Sequence, residues 1–398
     1  MIIQPIIKGA VAKTAHPYGC QQAVLEQIQQ AQSSHWQTSQ FKKVLVLGAS
    51  SGFGLASRIA LTFGGALADS IGVSFERGPN QDKQLTGTAG WYNNIYFRQY
   101  AEEKRLIAKN FIGDAFSDDI RQQVIDYIKS DFGGSVDLVV YSLASGIRPD
   151  PETGTVFRSA IKTIDKPYSG YVLNLESDSL EQTLLPVASQ QEIQDTVKVM
   201  GGEDWQDWLT LLADAGVLAK GCQTIAYSYM GPKITHPIYH QGTLGKAKDH
   251  LHQTAEQMNQ QLNQSINGQA KIAVCKALVT KASIYIPGFS PYMMALFKIM
   301  KQAGNHESCI EHMMRLFGNK IAQPLSKNCL IRMDDWELDL AIQNKVAQLL
   351  PLINSNNFKE IADYSAIKKD FMQLNGFEFN SIDYEEDIDL SSLKNMHL

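Results

Sequence analysis

The chain has 398 residues, with 36 Lys and Arg against 41 Asp and Glu, for a net charge of −5. Apolar residues make up 44%, enough for a sizeable core, and so mild and mixed a charge argues against a non-specific nucleic-acid binder. The five cysteines, Cys20, Cys222, Cys275, Cys309 and Cys329, are too scattered for a disulfide framework and form no Cys-x-x-Cys pair, so neither dithiol chemistry nor a metal centre is expected.

The opening stretch MIIQPIIKGAVAKTAHPYG has no charged leading region and no long apolar run, so it does not read as a secretory signal. The most apolar segment, residues 284–300, is broken by Pro287, Gly288, Ser290 and Pro291 and is too short to cross a bilayer. A cytoplasmic protein without an integral membrane segment is expected.

Residues 21–42 are polar with a helical pattern. They lead into a β-branched and leucine run at 43–47, followed at once by GASSGFGLASRIALTFG, whose apolar residues recur at helical spacing as far as Gly64 and Gly65. A second strand is expected at 71–75, ended by Glu76. A glycine-rich loop at 78–90 precedes a helix at 91–109 and a short strand at 111–112. Ser117 is placed to cap a helix running to Asp131, and 136–141 is a strongly apolar strand followed by SLASG. Strands alternating with helices predict βαβ units and a parallel sheet.

The pattern loosens over 146–200. Strands return at 223–227 and 272–278 around a helix at 243–262, residues 284–350 read as mostly helical, and the acidic tail 381–398 reads as a surface strap or a partly disordered end. The fold class expected is α/β, a Rossmann-like doubly wound parallel sheet with a helical insertion and a helical C-terminal extension. The chain reads as one enlarged domain, 1–398. It comprises a dinucleotide-binding half (43–145), an insertion (146–221), a catalytic half (222–290) and the extension (291–398).

Gly48, Gly52 and Gly54 form Gly-x3-Gly-x-Gly between a strand and a helix. Glycines there let a pyrophosphate approach the backbone, and the helix N-terminus offers N–H groups and a positive dipole end. The bland alternative is a tight turn whose glycines serve packing alone. Glu76, at the end of the second strand, is placed to accept hydrogen bonds from ribose hydroxyls and to repel a 2′-phosphate, which favours NADH over NADPH. Asp114 and Ala115 follow the third strand, and Leu143 and Ala144 the fourth, where ligands of open α/β sheets bind.

The run AYSYMGPKITHPIYHQGTLGKAKDHL, residues 226–251, holds Tyr227, Tyr229 and Tyr239 ahead of Lys246 and Lys248. A phenol has an ordinary pKa near 10, and a nearby ammonium lowers it, so tyrosine plus lysine beside a nicotinamide is chemically sensible. Pro237 and Gly242 place Tyr239 ahead of the following helix, and either lysine is then able to face it.

The runs TAHPYGC, VLVLGASSGFGLASRIA, FERG, GTAGWYNN, GDAFSD, VVYSLAS, VMGGEDWQDW, KALVTKAS and LFKIMKQAGNHESCIEHMMRLF extend the pattern over nearly the whole chain. The sequence resembles the FabV-type enoyl-acyl-carrier-protein reductases and the related trans-2-enoyl-CoA reductases, long relatives of the short-chain dehydrogenases. The resemblance implies that the family's Tyr-x8-Lys signature falls on Tyr239 and Lys248, with Lys246 as the fallback, and that a second substrate-facing tyrosine falls on Tyr229. It implies cofactor contacts from Gly48, Ala49, Ser50, Ser51, Gly52 and Phe53, from Phe75 and Glu76, and from Asp114 and Ala115. Further contacts are implied from Leu143 and Ala144, from Lys248, and from Leu278, Val279 and Thr280.

The implied activity is NADH-dependent reduction of the trans-2 double bond of an enoyl thioester in fatty acid synthesis, by a monomer and without a metal. In that reading hydride goes to the β-carbon, Tyr239 donates a proton, and Lys248 supports the cofactor and holds the tyrosine pKa down. The chain departs from the family at Gly146-Ile147-Arg148, where Pro-Arg-Arg is usual, and at His240, where Trp is usual. The loop 284–291 is also less regular than the family's usual form, and all three departures bear on carrier and chain length, which stay open between CoA and acyl carrier protein. Two other readings are a carbonyl reductase of the short-chain dehydrogenase type and a non-catalytic NAD-binding protein. Thr243, where the carbonyl reductases carry lysine, opposes the first, and retention of both Tyr239 and Lys248 opposes the second.

Overall fold

The computed structural model describes residues 1–37, 40–80, 82–151, 153–326 and 328–394. Seven strands form one sheet: β1 (Lys43–Leu47), β2 (Asp69–Ser74), β3 (Ala108–Ile112), β4 (Val136–Tyr141), β5 (Leu218–Ser228), β6 (Gln269–Val274) and β7 (Leu330–Arg332). They lie in the order β7-β6-β5-β4-β1-β2-β3, every pair parallel. The order reverses between β1 and β4, and an open α/β sheet leaves its ligand crevice at such a point.

The period of two in a strand explains why helices cover both faces. Val44 and Val46 face one buried cluster, whereas Leu45 and Leu47 face the other. The first cluster is built with α1 (Pro17–Ser33), α2 (Gly52–Phe63) and α3 (Ala89–Glu103). The second is built with α4 (Asp118–Ser130) and with α6 and α8 described below, of which α6 contributes the buried Trp205 and Trp208.

Several elements differ from the sequence expectation. The helix expected over 91–109 stops at Glu103, since Arg105 takes φ +61°, and residues 108–110 instead join β3 by pairing with β2. The expected helical insertion is partly β: hairpins Ile147–Pro149/Val156–Arg158 and Tyr168–Asn174/Ser179–Leu185 precede α5 (Gln190–Met200) and α6 (Glu203–Asp214). The strand expected over 272–278 ends at Val274, because the Ala277 N–H leaves the ladder for the Glu337 carboxylate.

Strand β7 lies in the region read as mostly helical. With three residues it is too short to display a period. The catalytic-half helix begins at Thr243, after a single turn α7 (His236–Tyr239), and runs as α8 (Thr243–Ile266). Then come α9 (Ser290–Ala303) and α10 (Cys309–Gly318). The acidic tail does form a strap: the Ile388 N–H donates to the Met1 carbonyl, and the Met1 ammonium pairs with Asp387. Residues 395–398 of that tail lie outside the described residues.

Candidate active site

The turn after β1 has no room for side chains. Gly48 sits at φ +86°, and a Cβ on it would lie 2.4 Å from the Ser142 carbonyl oxygen. A Cβ on Gly54 would lie 1.9 Å from the carbonyl oxygen of Gly48. These two contacts press the first turn of α2 onto the strand, which is the packing a backbone phosphate cradle needs. Ser51 is the N-cap of α2 and places no side-chain oxygen on its N–H groups. Ala49 is buried and donates its N–H to the Val73 carbonyl at 3.1 Å. Phe53 packs its ring against Tyr227 and His312, with centroids 5.6 and 5.8 Å away.

Glu76 is held in place from two sides. Its carboxylate accepts from the Ser50 hydroxyl at 2.5 Å and from the Thr88 hydroxyl. Gly90 leaves space for it, since a Cβ there would fall 2.0 Å from Glu76 Oε1. Phe75, just past β2, is 82% exposed. Asp114 turns its carboxylate onto the Phe116 N–H at 3.0 Å, and the Ala115 carbonyl accepts from the Trp208 indole at 3.0 Å. Leu143 and Ala144 follow Ser142, whose N–H donates to the Leu47 carbonyl at the exit of β1.

Beyond β6, Leu278 and Val279 are buried and Thr280 closes a small turn with Ser283. The Thr280 methyl would lie 3.5 Å from a Cβ on Gly52, so this segment arches over the start of α2.

Tyr239, at the end of α7, is 7% exposed. Its ring meets that of Tyr229 edge-on at 4.5 Å and that of Phe289 at 5.2 Å. Among the described residues its hydroxyl has no hydrogen-bond partner, and unlike the ring it is not fully buried. Lys248 projects from α8 to the Tyr227 carbonyl at 3.3 Å, whereas Lys246 is exposed. The structure thus separates the two lysines that spacing left equivalent. Burial pulls the Lys248 ammonium down to about 8.

The Tyr239 phenol does not move as expected. Burial, and then the charge of Glu337, push it up rather than down, so it stays protonated at neutral pH. His236 and His240 stack on each other at 4.0 Å, and the second is exposed.

One group here, Glu337, escaped the sequence reading, whereas Phe289 and Tyr292 come from the apolar segment 284–300. Phe289 and Tyr292 extend the aromatic wall, and the fully buried Glu337 accepts hydrogen bonds from both Tyr229 and Tyr292. The signal for Glu337 was its place five residues after β7, a strand that was itself not read. Arg148, where the sequence departs from the family pattern, is buried against Asp207 and the Lys198 carbonyl and ties the first hairpin to α5 and α6.

Residues 2–81 match the family described as the NAD(P)H binding domain of trans-2-enoyl-CoA reductase, and residues 85–322 its catalytic region. The chain belongs to the trans-2-enoyl-CoA reductase family. An enoyl-acyl-carrier-protein reductase (NADH) from Photobacterium profundum is 58% identical, with 99% of each chain covered. A trans-2-enoyl-CoA reductase (NADH) from Clostridium beijerinckii is 49% identical, with 100% of each covered. The solved trans-2-enoyl-CoA reductase of Clostridium acetobutylicum in complex with NADH superposes with a TM-score of 0.96 at 44% identity, with both chains fully covered.

Residues 326–388 match a family described as an enoyl reductase FAD binding domain. The side chains there do not fit a flavin dinucleotide. Strand β7 runs into the fully buried Asp334 and Glu337 rather than a glycine turn, and acidic groups repel a diphosphate. The helices Leu340–Leu349 and Tyr364–Gln373 bury Ile342, Val346, Ile367 and Phe371 in the main core. No step is assigned to a flavin.

Proposed function

We propose that the chain is an NADH-dependent trans-2-enoyl thioester reductase, with Tyr239 as proton donor and Lys248 as the residue that holds the nicotinamide ribose. The observation that carries this reading is the Tyr239 hydroxyl, set on a buried ring, held protonated and without a partner among the described residues, in a chain that also builds a nucleotide cradle from Gly48, Gly52 and Gly54. Family membership over the full length supports it.

The residues around the glycine turn and the strand ends fit a dinucleotide. Gly48, Ala49, Ser50, Ser51, Gly52 and Phe53 would line the pyrophosphate and Glu76 would take the ribose hydroxyls, with Phe75 on the adenine side. Asp114 and Ala115 would meet the adenine edge, and Leu143, Ala144, Leu278, Val279 and Thr280 would line the nicotinamide half. The cofactor, when bound, supplies a hydride to the β-carbon of the enoyl thioester.

As the β-carbon is reduced, charge develops on the thioester oxygen. A preorganised O–H donor in a dry pocket stabilises that charge far better than water does. Tyr239 meets the requirement because burial and Glu337 keep its proton on. The Tyr239 proton passes to the thioester oxygen to give an enol; the α-carbon then takes a proton from water as the enol O–H proton is released, and solvent restores the Tyr239 proton. Lys248, poised near neutrality, donates to ribose hydroxyls without needing a carboxylate partner. The apolar face of residues 284–300, with Phe289 and Met293 buried, forms part of the acyl wall.

CoA and acyl carrier protein both remain carriers of the right chemistry, and the enzyme works as a cytoplasmic monomer in fatty acid synthesis. The test is NADH oxidation with crotonyl-CoA, a longer 2-enoyl-CoA and an enoyl-acyl carrier protein, in parallel with NADPH. Turnover that requires the enoyl thioester is expected. NADH binding without turnover on any of the three refutes the reading and favours a non-catalytic nucleotide-binding protein.

A further inference from the structure

Tyr229 stands beside Tyr239 and by residue type could serve the same purpose. Its proton is already committed. The Tyr229 hydroxyl donates to Glu337 Oε1 at 2.8 Å, and the Tyr292 hydroxyl donates to the same oxygen at 2.6 Å. The other oxygen, Oε2, accepts the Ala277 N–H at 2.6 Å. Gln343 closes the arrangement by donating to the Tyr292 hydroxyl at 3.1 Å and to the Glu337 carbonyl at 2.7 Å. Glu337 is 0% exposed. Burial raises its carboxyl, and the donors around it act the other way.

A buried carboxylate with three donors in hydrogen-bond range is a satisfied acceptor, and its position fixes theirs. It joins three parts of the chain through one side chain. These are the Tyr229 ring that Tyr239 meets edge-on, the α9 tyrosine next to Phe289, and the backbone immediately ahead of Leu278.

We propose that Glu337 is a positioning residue for the reduction: it claims the Tyr229 proton, so that Tyr229 is a fixed wall and acceptor, and Tyr239 is the phenol left to donate to the substrate. This rests on the reading of Tyr239 as the donor. It also assigns a use to the segment matched as a flavin-binding region: the end of β7 supplies the acceptor that orients the tyrosine wall.

The test is Glu337→Gln in the full-length protein with crotonyl-CoA. Glutamine keeps the shape but replaces one acceptor oxygen with an N–H2 donor, so it cannot accept from both tyrosines and from Ala277. The expected result is a fall in kcat of tenfold or more, with KM for NADH within threefold of wild type. In a Tyr229→Phe background, where there is no phenol to orient, the same change is expected to cost threefold or less. Unchanged kcat in Glu337→Gln overturns the proposal. So does an equal fold-loss in both backgrounds, which would mean that Glu337 acts only through stability.

If Glu337→Gln does not fold, Tyr292→Phe asks the same question. It removes one donor from Oε1 and is expected to lower kcat threefold or more in the wild-type background only; no difference between backgrounds overturns the proposal. Tyr239→Phe separates the two levels. Full turnover there removes the parent reading, whereas an inactive Tyr239→Phe beside a fully active Glu337→Gln removes only the role of Glu337.

Discussion

Replacing Tyr239 by Phe deletes one oxygen from a buried ring and little else. The ring contacts with Tyr229 at 4.5 Å and Phe289 at 5.2 Å are available to a phenylalanine. Because the hydroxyl has no partner among the described residues, its removal strands no buried donor or acceptor. Folding stability is therefore expected to change by less than about 1 kcal/mol, with a small gain as plausible as a small loss.

The chemical step is different. Loss of one preorganised donor to a developing oxyanion costs about 3–4 kcal/mol, or roughly 10²–10³ in kcat. Three measurements on one preparation check this: NADH oxidation with crotonyl-CoA, NADH affinity by fluorescence titration, and urea unfolding. Low turnover with NADH affinity and stability retained is the expected pattern. Turnover within threefold of wild type would refute the assignment of Tyr239. A loss of turnover matched by lost stability would refute the argument that its hydroxyl is structurally idle.

Gly54→Ala puts a methyl 1.9 Å from the Gly48 carbonyl oxygen, a backbone atom that cannot step aside. It is expected to lose about 1–3 kcal/mol of stability and most of its NADH affinity, read by urea unfolding and fluorescence titration. Glu76→Ala removes the carboxylate held by Ser50 and Thr88 and is expected to raise the NADPH-to-NADH ratio of kcat/KM; an unchanged ratio would show that Glu76 is only a structural acceptor. Burial alone would raise the Glu307 carboxyl, but His312 and Arg315 overcome it and hold it at about 2 against an ordinary 4.5. A depressed carboxylate contributes stability that is full above about 4.5 and is lost as pH falls toward 2. Glu307→Gln is therefore expected to be less stable than wild type by about 2–3 kcal/mol at neutral pH, with the gap in urea midpoints closing as the solution is acidified.

Much of the nucleotide half was legible because its signals are local. Residues 43–54 carry a strand, a glycine turn and a helix start within a dozen positions, with backbone atoms where a Cβ on Gly48 or Gly54 would stand and a φ of +53° at Gly52. Tyr239 was legible as a residue type, but its partner was not, because Lys246 and Lys248 differ only in how α8 is set against β5. The lysine that reaches the Tyr227 carbonyl is fixed by tertiary packing.

The 146–200 hairpins were hidden for a related reason. Their strands are half-exposed ribbons outside the main sheet, so their apolar alternation is weak. Strand β7 was missed because three residues carry no period, and Glu337 was missed with it. An acidic residue in DDWELD reads as surface until the strand before it is known to end at the crevice.

The site of Glu337 has a consequence for the order in which the enzyme comes into being. The glycine cradle and both tyrosines are synthesised well before the segment that bears this carboxylate. A nascent chain that has folded its first six strands already holds the groups that bind nucleotide, yet the Tyr229 proton has no acceptor and the edge of β6 is uncovered. Domains fold largely as units as they emerge, and unpaired strand edges invite association. Ribosome-bound chains halted ahead of residue 330 would therefore be expected to capture NADH before they acquire competence to reduce, and to be most prone to aggregate in that interval.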